Sequence, residues 1–141
     1  MTTYLQKRGY AKVRYRTEAG IRHFLTKNEP GAEITPIESH ETKLGIPDLF
    51  VQTKDLSLWV ELKSIKREVV NSFSPPWRPG QINWAKRHKA KNGYWILLIE
   101  INGELLFSFR PLEKYSVHEM FLFTSFTDVD FITLVKGSNY E

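Results

Sequence analysis

An acidic and a basic side chain stand two residues apart in the segment Leu-Trp-Val-Glu-Leu-Lys at positions 58–63. The alternation in this segment predicts a β-strand, and side chains two apart on a strand project from the same face. Glu61 and Lys63 should therefore point together, while Val60 and Leu62 point into the opposite layer. Both residue types are abundant, so an ordinary surface ion pair is an alternative use of this spacing.

A second acidic residue stands thirteen positions before Glu61, in the segment Gly-Ile-Pro-Asp-Leu-Phe at 45–50. Pro47 restricts the backbone next to Asp48, and the apolar residues that follow predict a buried strand. A short turn at 54–57 would make the two strands antiparallel neighbours, so that Asp48 and Glu61 converge. Two carboxylates held together repel unless a cation or a proton lies between them. An aspartate in a turn or a cap is the alternative.

The composition narrows the chemistry that such a pair could use. The chain has no cysteine, which excludes disulfides, thiolate zinc sites and cysteine nucleophiles. Carboxylate oxygens favour a hard cation such as Mg²⁺ or Mn²⁺ over zinc. The formal net charge of +4 suits a polyanionic partner without requiring one.

Periodicity and capping signals predict the elements that must position these side chains. Thr17 can cap a helix over 18–28, in which Glu18 lies three residues before Ile21 and so on the inward face. The elements expected after it are strands at 34–38, 49–51 and 58–63, an irregular segment at 65–80 with three prolines, a helix at 80–92, a strand at 94–99, an Asn102-Gly103 hairpin into 105–109 and a strand at 131–135. With 141 residues, we expect one domain spanning 1–141, an α/β fold with helices flanking a mixed central β-sheet.

Pro47-Asp48 followed by Glu61-Leu62-Lys63, with apolar strands behind both, resembles the PD-(D/E)XK nuclease superfamily. The Gly-Ile-Pro-Asp and Glu-Leu-Lys forms, with Gln81 opening a later helix, look most like its VRR-NUC branch, which is similar in fold and spacing to archaeal Holliday-junction resolvases. The resemblance covers roughly residues 17–110 and leaves the N-terminal sixteen and the C-terminal thirty residues outside it. It implies a restriction-endonuclease-like core that hydrolyses DNA phosphodiesters.

The resemblance also implies a role for each residue of the motif. Asp48, Glu61 and the main-chain carbonyl of Leu62 would bind Mg²⁺, for which Mn²⁺ would substitute. The metal would polarise the scissile phosphate and activate an attacking water. Lys63 would orient or deprotonate that water, or stabilise the developing negative charge. Because two neighbouring carboxylates favour the charged ammonium, we expect charge stabilisation and water positioning from Lys63.

Two further residues match positions of the family's site. Glu18 corresponds to an acidic residue of the first helix that completes the site directly or through a water, and Glu38 and Glu41 compete with it for this role. Gln81 corresponds to a glutamine that sits beside the lysine and helps to hold phosphate or water. The alternatives are a helix-start glutamate that interacts with the helix dipole and a surface glutamine.

Basic residues flank the predicted site along the chain. Lysine and arginine contact phosphates without reading the base sequence. Phe73 and Trp77, in the proline-rich segment, could stack on unpaired bases or anchor that segment to the domain. The predicted DNA-binding residues are Arg14, Arg16, Lys66, Arg67, Arg78, Lys86 and Arg87.

The function expected from these features is a Mg²⁺-dependent DNA endonuclease. A single catalytic domain leaves no separate module to read sequence, so we expect selectivity for branched DNA such as Holliday junctions. Symmetric cleavage of a junction needs two sites and therefore a C₂ homodimer. A flap, single-strand or nicking endonuclease with the same centre is the alternative enzyme. A non-catalytic DNA-binding module on a nuclease fold is the alternative from another class.

The sequence also bears on where the protein acts. No apolar run approaches the ~18 residues that a membrane span requires. The N-terminus lacks the apolar core of a secretory signal. We therefore expect a protein that acts in the cytoplasm without a membrane partner, or in the host cytoplasm if the source is viral.

Overall fold

A mixed six-stranded β-sheet forms the centre of the structure, a computed structural model that describes residues 17–37 and 44–138. The strands in these residues are β1 (Glu33–Pro36), β2 (Leu49–Gln52), β3 (Ser57–Ile65), β4 (Ser72–Phe73), β5 (Trp95–Ile101), β6 (Glu104–Ser108), β7 (Tyr115–Ser116) and β8 (Phe121–Leu122). The large sheet has the order β1-β2-β3-β5-β6-β8, and β4 pairs separately with β7. Strands β3 and β5 are parallel, whereas the other neighbours in the large sheet are antiparallel.

Within the described ranges, three α-helices cover the faces of the large sheet: α1 (Glu18–Asn28), α2 (Gln81–Ala90) and α3 (Val129–Gly137). Ile21 of α1 and Val135 of α3 join the apolar core on one face. The helix α2 lies in the crossover between β3 and β5 and packs through Ala85 on the other face. Both faces of β5 are covered, which explains why all seven of its residues are buried. The predicted α/β architecture, a mixed sheet flanked by helices, is confirmed.

Local signals in the sequence placed several elements correctly. Thr17 caps α1 by accepting a hydrogen bond from the Gly20 N–H at 3.0 Å. The Asn102-Gly103 pair forms the predicted hairpin between β5 and β6, with φ angles of 54° and 81°. Within the described ranges, the helices fall short of the length and apolar character that a membrane crossing requires.

The C-terminal segment is a helix, so the strand predicted at 131–135 is wrong. Asp128 caps α3 by accepting a hydrogen bond from the Asp130 N–H at 2.8 Å. Phe131 and Val135, one helical turn apart, both enter the apolar core. The β-branched and aromatic composition of this stretch favours a strand, but the cap and the apolar spacing override that local preference.

The segment between β3 and α2, predicted to be irregular over 65–80, contains the short strand β4. Phe73 of β4 is buried and stacks on Tyr115 of β7, with the ring centroids 5.7 Å apart. The Asn102 side chain holds the start of the segment, because it accepts a hydrogen bond from the Val69 N–H at 3.0 Å and donates one to the Val69 carbonyl at 2.8 Å. Phe73 therefore anchors the segment to the domain and is not placed to stack on bases.

Two glycines allow the loop before Asp48 to touch the start of α2. Gly45 and Gly80 adopt positive φ angles of 89° and 87°, a conformation that favours glycine. A β-carbon added to Gly45 would overlap the carbonyl group of Gly80. The contact therefore needs glycine at position 45 for both conformation and space, and it brings the segment carrying Asp48 against the helix that begins with Gln81.

We expect Gly45→Ala to lower the thermal midpoint of unfolding by roughly 6 °C or more, because a positive φ and a backbone overlap together cost at least about 2 kcal/mol. Thermal unfolding followed by circular dichroism measures the change. Gly137→Ala is the matched control, since its added β-carbon meets no atom within 4 Å. If Gly45→Ala unfolded at the wild-type temperature, the close contact between the two loops would be refuted.

Candidate active site

Asp48 lies where β3 extends past its neighbour β2. The two strands pair in an antiparallel register that ends at Leu49 and Val60, and β3 continues to Ile65. Beyond the paired residues, the backbone N–H of Leu62 donates a hydrogen bond to Oδ2 of Asp48 at 2.9 Å. The Asp48 carboxylate therefore occupies the edge of β3 that a longer β2 would have covered.

The same geometry directs a main-chain carbonyl toward Asp48. In an extended strand, the N–H and C=O groups of one residue point to the same neighbouring strand. Since the N–H of Leu62 points to Asp48, its carbonyl oxygen faces that edge as well. The side chains of Leu62 and Val60 enter the apolar core, as the alternation predicted, and this leaves Glu61 and Lys63 on the opposite face.

Glu61 is a carboxylate with only 1% of its surface exposed. Its Oε2 accepts a hydrogen bond from Nε2 of Gln81 at 3.1 Å, and its carboxylate lies within hydrogen-bonding reach of the Asp48 carboxylate. Burial and then Asp48 raise the pKa of Glu61 well above its ordinary value of 4.5, while Lys63 acts in the opposite direction. The predicted convergence of Asp48 and Glu61 is confirmed. Such a pair needs a proton or a cation between its oxygens.

Lys63 brings a buried ammonium group to the acidic pair. Its Nζ donates a hydrogen bond to the main-chain oxygen of Pro76 at 3.0 Å. The same atom lies 3.9 Å from Oε2 of Glu61 and 3.8 Å from Oε1 of Glu18. It also lies 5.7 Å from the ring centroid of Trp77, within range of a cation–π contact. The proline-rich segment therefore holds Lys63 in place, a contact that the Glu-Leu-Lys motif does not encode.

Glu18 reaches the site from the first turn of α1. Its side chain remains 41% exposed, so it is less enclosed than its inward helix position predicted. Partial burial and then the charge of Asp48 raise the pKa of Glu18, whereas Lys63 and Arg78 act in the opposite direction. Glu18 thus forms the solvent-facing side of the acidic group.

Gln81 joins the proline-rich segment to the buried carboxylate. Its Oε1 accepts a hydrogen bond from the Arg78 backbone N–H at 2.8 Å, and its Nε2 donates to Glu61. The family resemblance implied a glutamine at position 81 that lies beside Lys63 and helps to hold phosphate or water. In the structure both ends of the amide contact the protein, so Gln81 positions Glu61, and its part in holding phosphate or water stays a prediction.

Arg78 forms an ion pair with Asp48 that the sequence analysis did not predict. Its Nη2 lies 3.6 Å from Oδ1 of Asp48, and its side chain is 45% exposed. The two residues are thirty positions apart, and no local pattern connects them. Arg78 and Lys63 face Asp48, Glu61 and Glu18, so one negative charge is in excess when all five groups are ionised.

The oxygen atoms at this edge of β3 fit a hard divalent cation. Among the residues that the structure describes, no three histidine, aspartate or glutamate side chains form a group that could hold a metal by themselves. Asp48, Glu61 and the Leu62 carbonyl supply a smaller set of oxygens. Mg²⁺ commonly uses one or two carboxylates and keeps several waters. The repulsion between the buried Glu61 carboxylate and the partly buried Asp48 carboxylate is relieved when a cation binds between them.

The other predicted residues are distributed around this group. Trp77 anchors its segment, because its indole N–H donates to the Leu112 carbonyl at 2.9 Å. The predicted DNA-binding residues Lys66, Arg67, Arg78, Lys86 and Arg87 are all exposed. Four predicted residues lie outside the part of the chain that the structure describes: Arg14, Arg16, Glu38 and Glu41.

Comparisons with known proteins show a likeness in fold. No family model matches the chain, and no curated protein sequence matches it. Solved structures do match, among them Hjc, a Holliday junction resolvase from the archaeal hyperthermophile Archaeoglobus fulgidus. The two chains share 14% sequence identity with a TM-score of 0.45, over 65% of this chain and 72% of the resolvase. At this level the likeness does not bear on what the chain binds or cleaves.

We expect Glu61→Gln to stabilise the metal-free protein at neutral and alkaline pH. Because burial and Asp48 raise the pKa of Glu61 above 4.5, the stability that its protonated form contributes is present below about pH 4.5. That stability is lost as the pH rises through the pKa of Glu61 in the folded protein. The thermal midpoint of unfolding should therefore be higher for Glu61→Gln than for the wild type, by a margin that grows from pH 5 to pH 8. Thermal unfolding in the presence of a chelator measures this margin.

Glu33→Gln is the matched control for this pH series, because Glu33 is an exposed carboxylate on the edge strand β1. Its midpoints should run parallel to those of the wild type at every pH. A constant difference between Glu61→Gln and the wild type would show that Glu61 ionises as readily in the folded as in the unfolded chain. That result would contradict the enclosed acidic pair.

Proposed function

We propose that this chain is a metal-dependent endodeoxyribonuclease of the PD-(D/E)XK type, with the VRR-NUC branch as the pattern that its motifs resemble. The observation that carries the proposal is the pair of neighbouring carboxylates, the buried Glu61 and the partly buried Asp48, with the Lys63 ammonium 3.9 Å from Glu61. The two carboxylates are suited to hold a cation beside a phosphodiester, and the ammonium is suited to stabilise negative charge on that phosphodiester.

Asp48, Glu61 and the carbonyl of Leu62 would hold Mg²⁺, and Mn²⁺ would substitute for it. When bound, this ion polarises the scissile phosphate and lowers the pKa of an attacking water. The chain's own contribution is a fixed set of oxygens, because the Leu62 N–H orients Asp48 and Gln81 orients Glu61. Glu18, half-exposed beside them, would contact the ion or one of its waters.

Lys63 is placed to position water and to stabilise negative charge. One of its three ammonium hydrogens is used by the Pro76 carbonyl. The others lie on the side of Glu61 and Glu18, where a water or a phosphate oxygen can accept them. The Nζ atom is held within 4 Å of both carboxylates, where it can donate hydrogen bonds to an anionic group. We therefore assign Lys63 the electrostatic role rather than that of the general base.

The proposed substrate is branched DNA such as a Holliday junction, cut by a homodimer. Exposed basic residues on the segment 66–78 and on α2 supply sequence-independent contacts to phosphates. A surface that reads phosphates rather than bases selects by the path of the DNA backbone, and a branch point changes that path. Two symmetric sites in a C₂ dimer would cut both strands of a junction.

We expect wild-type protein with Mg²⁺ to cut junction DNA, and Asp48→Asn and Glu61→Gln to reduce the cleavage rate on the order of 100-fold or more. Both variants should keep their DNA affinity, because the charge-neutral replacements leave the basic surface intact. The measurement is cleavage of labelled junction, flap, nicked, single-stranded and linear DNA, with and without Mg²⁺. Glu33→Gln serves as the carboxylate control and should cut at the wild-type rate.

Each other outcome of this substrate panel contradicts a specific part of the proposal. Preference for flap, single-stranded or nicked DNA would refute the junction specificity and leave the endonuclease. Full activity of Asp48→Asn would refute the assigned site. Salt-dependent DNA binding with no cleavage of any substrate would identify a non-catalytic binding module.

We expect Arg78→Ala to strengthen Mg²⁺ binding and to weaken DNA binding. Oδ2 of Asp48 is engaged by Leu62, so Arg78 and a cation compete for Oδ1. Removing a half-exposed ion pair should raise the Mg²⁺ affinity by a factor of roughly 2 to 5. Isothermal titration of metal without DNA measures the first effect, and fluorescence anisotropy with labelled junction DNA measures the second.

Arg67→Ala is the matched control, because Arg67 is exposed on the same segment and contacts the backbone of its neighbour Glu68. It should weaken DNA binding and leave the Mg²⁺ affinity unchanged. Equal or weaker Mg²⁺ binding by Arg78→Ala would show that Arg78 does not occupy the metal's place on Asp48.

A further inference from the structure

Two surface depressions follow one face of the helix α2. The first, of about 310 Å³, is lined by Arg78, Ile82 and Asn83. The second, of about 560 Å³, is lined by Lys86 and Lys89 at the other end of the helix. Helix positions three and four residues apart share a face. The two depressions therefore form a single line along α2.

The opposite wall of the two depressions is also continuous. Glu113 lines the first depression, and the adjacent Leu112 lines the second together with Arg110. The indole N–H of Trp77 donates to the Leu112 carbonyl at 2.9 Å, which ties this wall to the segment that holds Lys63. We call the space between α2 and residues 110–113 the α2 groove.

One end of the α2 groove opens at the candidate active site. Arg78 lines the first depression and lies 3.6 Å from Asp48. From Asn83 to Ala90 the helix rises about 10 Å, at about 1.5 Å per residue. Each strand of a DNA duplex advances about 3.4 Å along the duplex axis per nucleotide, so a groove of this size spans a few nucleotides of one strand.

The lining of the α2 groove becomes more basic with distance from Asp48 and Glu61. The first depression contains Arg78 and Glu113. The second contains Lys86, Lys89 and Arg110, and no carboxylate is among the described residues that line it. Lys89 is anchored, because its Nζ donates to the Phe109 carbonyl. The groove therefore begins beside the two carboxylates and ends in a basic depression. Such a groove suits an anionic polymer whose reacting group lies beside the carboxylates and whose next charged groups lie in the basic depression.

We propose that the α2 groove binds one strand of a duplex DNA arm, with the scissile phosphate beside Arg78 and a phosphate a few nucleotides away between Lys86 and Arg110. This inference rests on the proposed function. It adds the path that the DNA strand takes over the protein and the end of the groove at which the strand is cut. The contacts in the second depression are to phosphates, because no aromatic side chain lines it among the described residues. Trp77 lines the first depression, where its indole N–H is engaged by the Leu112 carbonyl. The groove therefore sets where the arm lies and not which bases it contains.

The helix α2 offers a control with the same number of charges. Arg87 and Lys91 are exposed, like Lys86, but line neither depression. A general attraction between a basic helix and DNA would weaken equally on removal of either pair. A strand in the groove would instead depend on Lys86 and Arg110 far more than on Arg87 and Lys91.

The experiment compares Lys86→Gln/Arg110→Gln with Arg87→Gln/Lys91→Gln, each combined with Glu61→Gln so that DNA is bound and not cut. Fluorescence anisotropy of labelled junction DNA at several salt concentrations gives the affinity and its salt dependence. We expect the Lys86→Gln/Arg110→Gln variant to bind DNA roughly 10-fold or more weakly. The slope of its log affinity against log salt concentration should be smaller in magnitude by about 2. The control pair should change the affinity less than about 3-fold.

A second measurement uses junctions whose arms are shortened stepwise. With the groove intact, the affinity for DNA should fall in one step when an arm becomes too short to reach Lys86 and Arg110, within a few nucleotides of the cut. The groove variant should show no such step. This comparison tests the location of the contact, independently of the total charge of the protein.

The outcomes separate the groove from the enzyme. Equal losses for the two pairs of variants, with cleavage intact in the corresponding proteins that retain Glu61, would overturn the groove and leave the nuclease. A step in the arm-length series that persists in the groove variant would also overturn it. If the protein that retains Glu61 neither bound nor cut any DNA of the panel, the proposed function itself would fail, and the groove with it.

Discussion

The burial of Glu61 beside Asp48 is the constraint on which the rest of the site depends. Two carboxylates within hydrogen-bonding reach, one of them almost without solvent, are unfavourable unless neighbouring groups compensate them. The compensation comes from several parts of the chain. Strand β3 supplies Lys63 and the Leu62 N–H, and the start of α2 supplies the Gln81 amide. The contact between Gly45 and Gly80 closes the loops around this arrangement.

The sequence was sufficient for the features that local rules encode. Alternation over 58–63 separates Glu61 from the core residues on either side, and a short turn makes the strands of Asp48 and Glu61 antiparallel. The cap at Thr17 and the Asn102-Gly103 turn define the start of α1 and the β5–β6 hairpin in the same way. Each of these signals operates within a few residues, which is the range over which chain geometry is predictable from residue type.

The remaining features depend on contacts between distant residues. The ion pair of Arg78 with Asp48 and the hydrogen bond of Lys63 with Pro76 join positions thirty and thirteen residues apart, and neither has a periodic pattern. The pairing of β4 with β7 likewise depends on residues far apart in the chain. The error at 131–135 has the opposite origin, because a true local preference for strand was overridden by packing of Phe131 against the sheet.

One stretch of chain connects the acidic pair to the basic depression. The Pro76 carbonyl accepts a hydrogen bond from Lys63, and Arg78 forms an ion pair with Asp48. Gln81 then donates a hydrogen bond to Glu61, and α2 continues from it to Lys86 and Lys89. A phosphate that draws Arg78 away from Asp48 would leave Oδ1 more negative and the acidic pair more in need of a cation. Metal and DNA would then favour each other's binding by the same factor, since coupling between two ligands is reciprocal. On the proposed function, such a site would hold a metal most firmly when the phosphate to be cut is already in place.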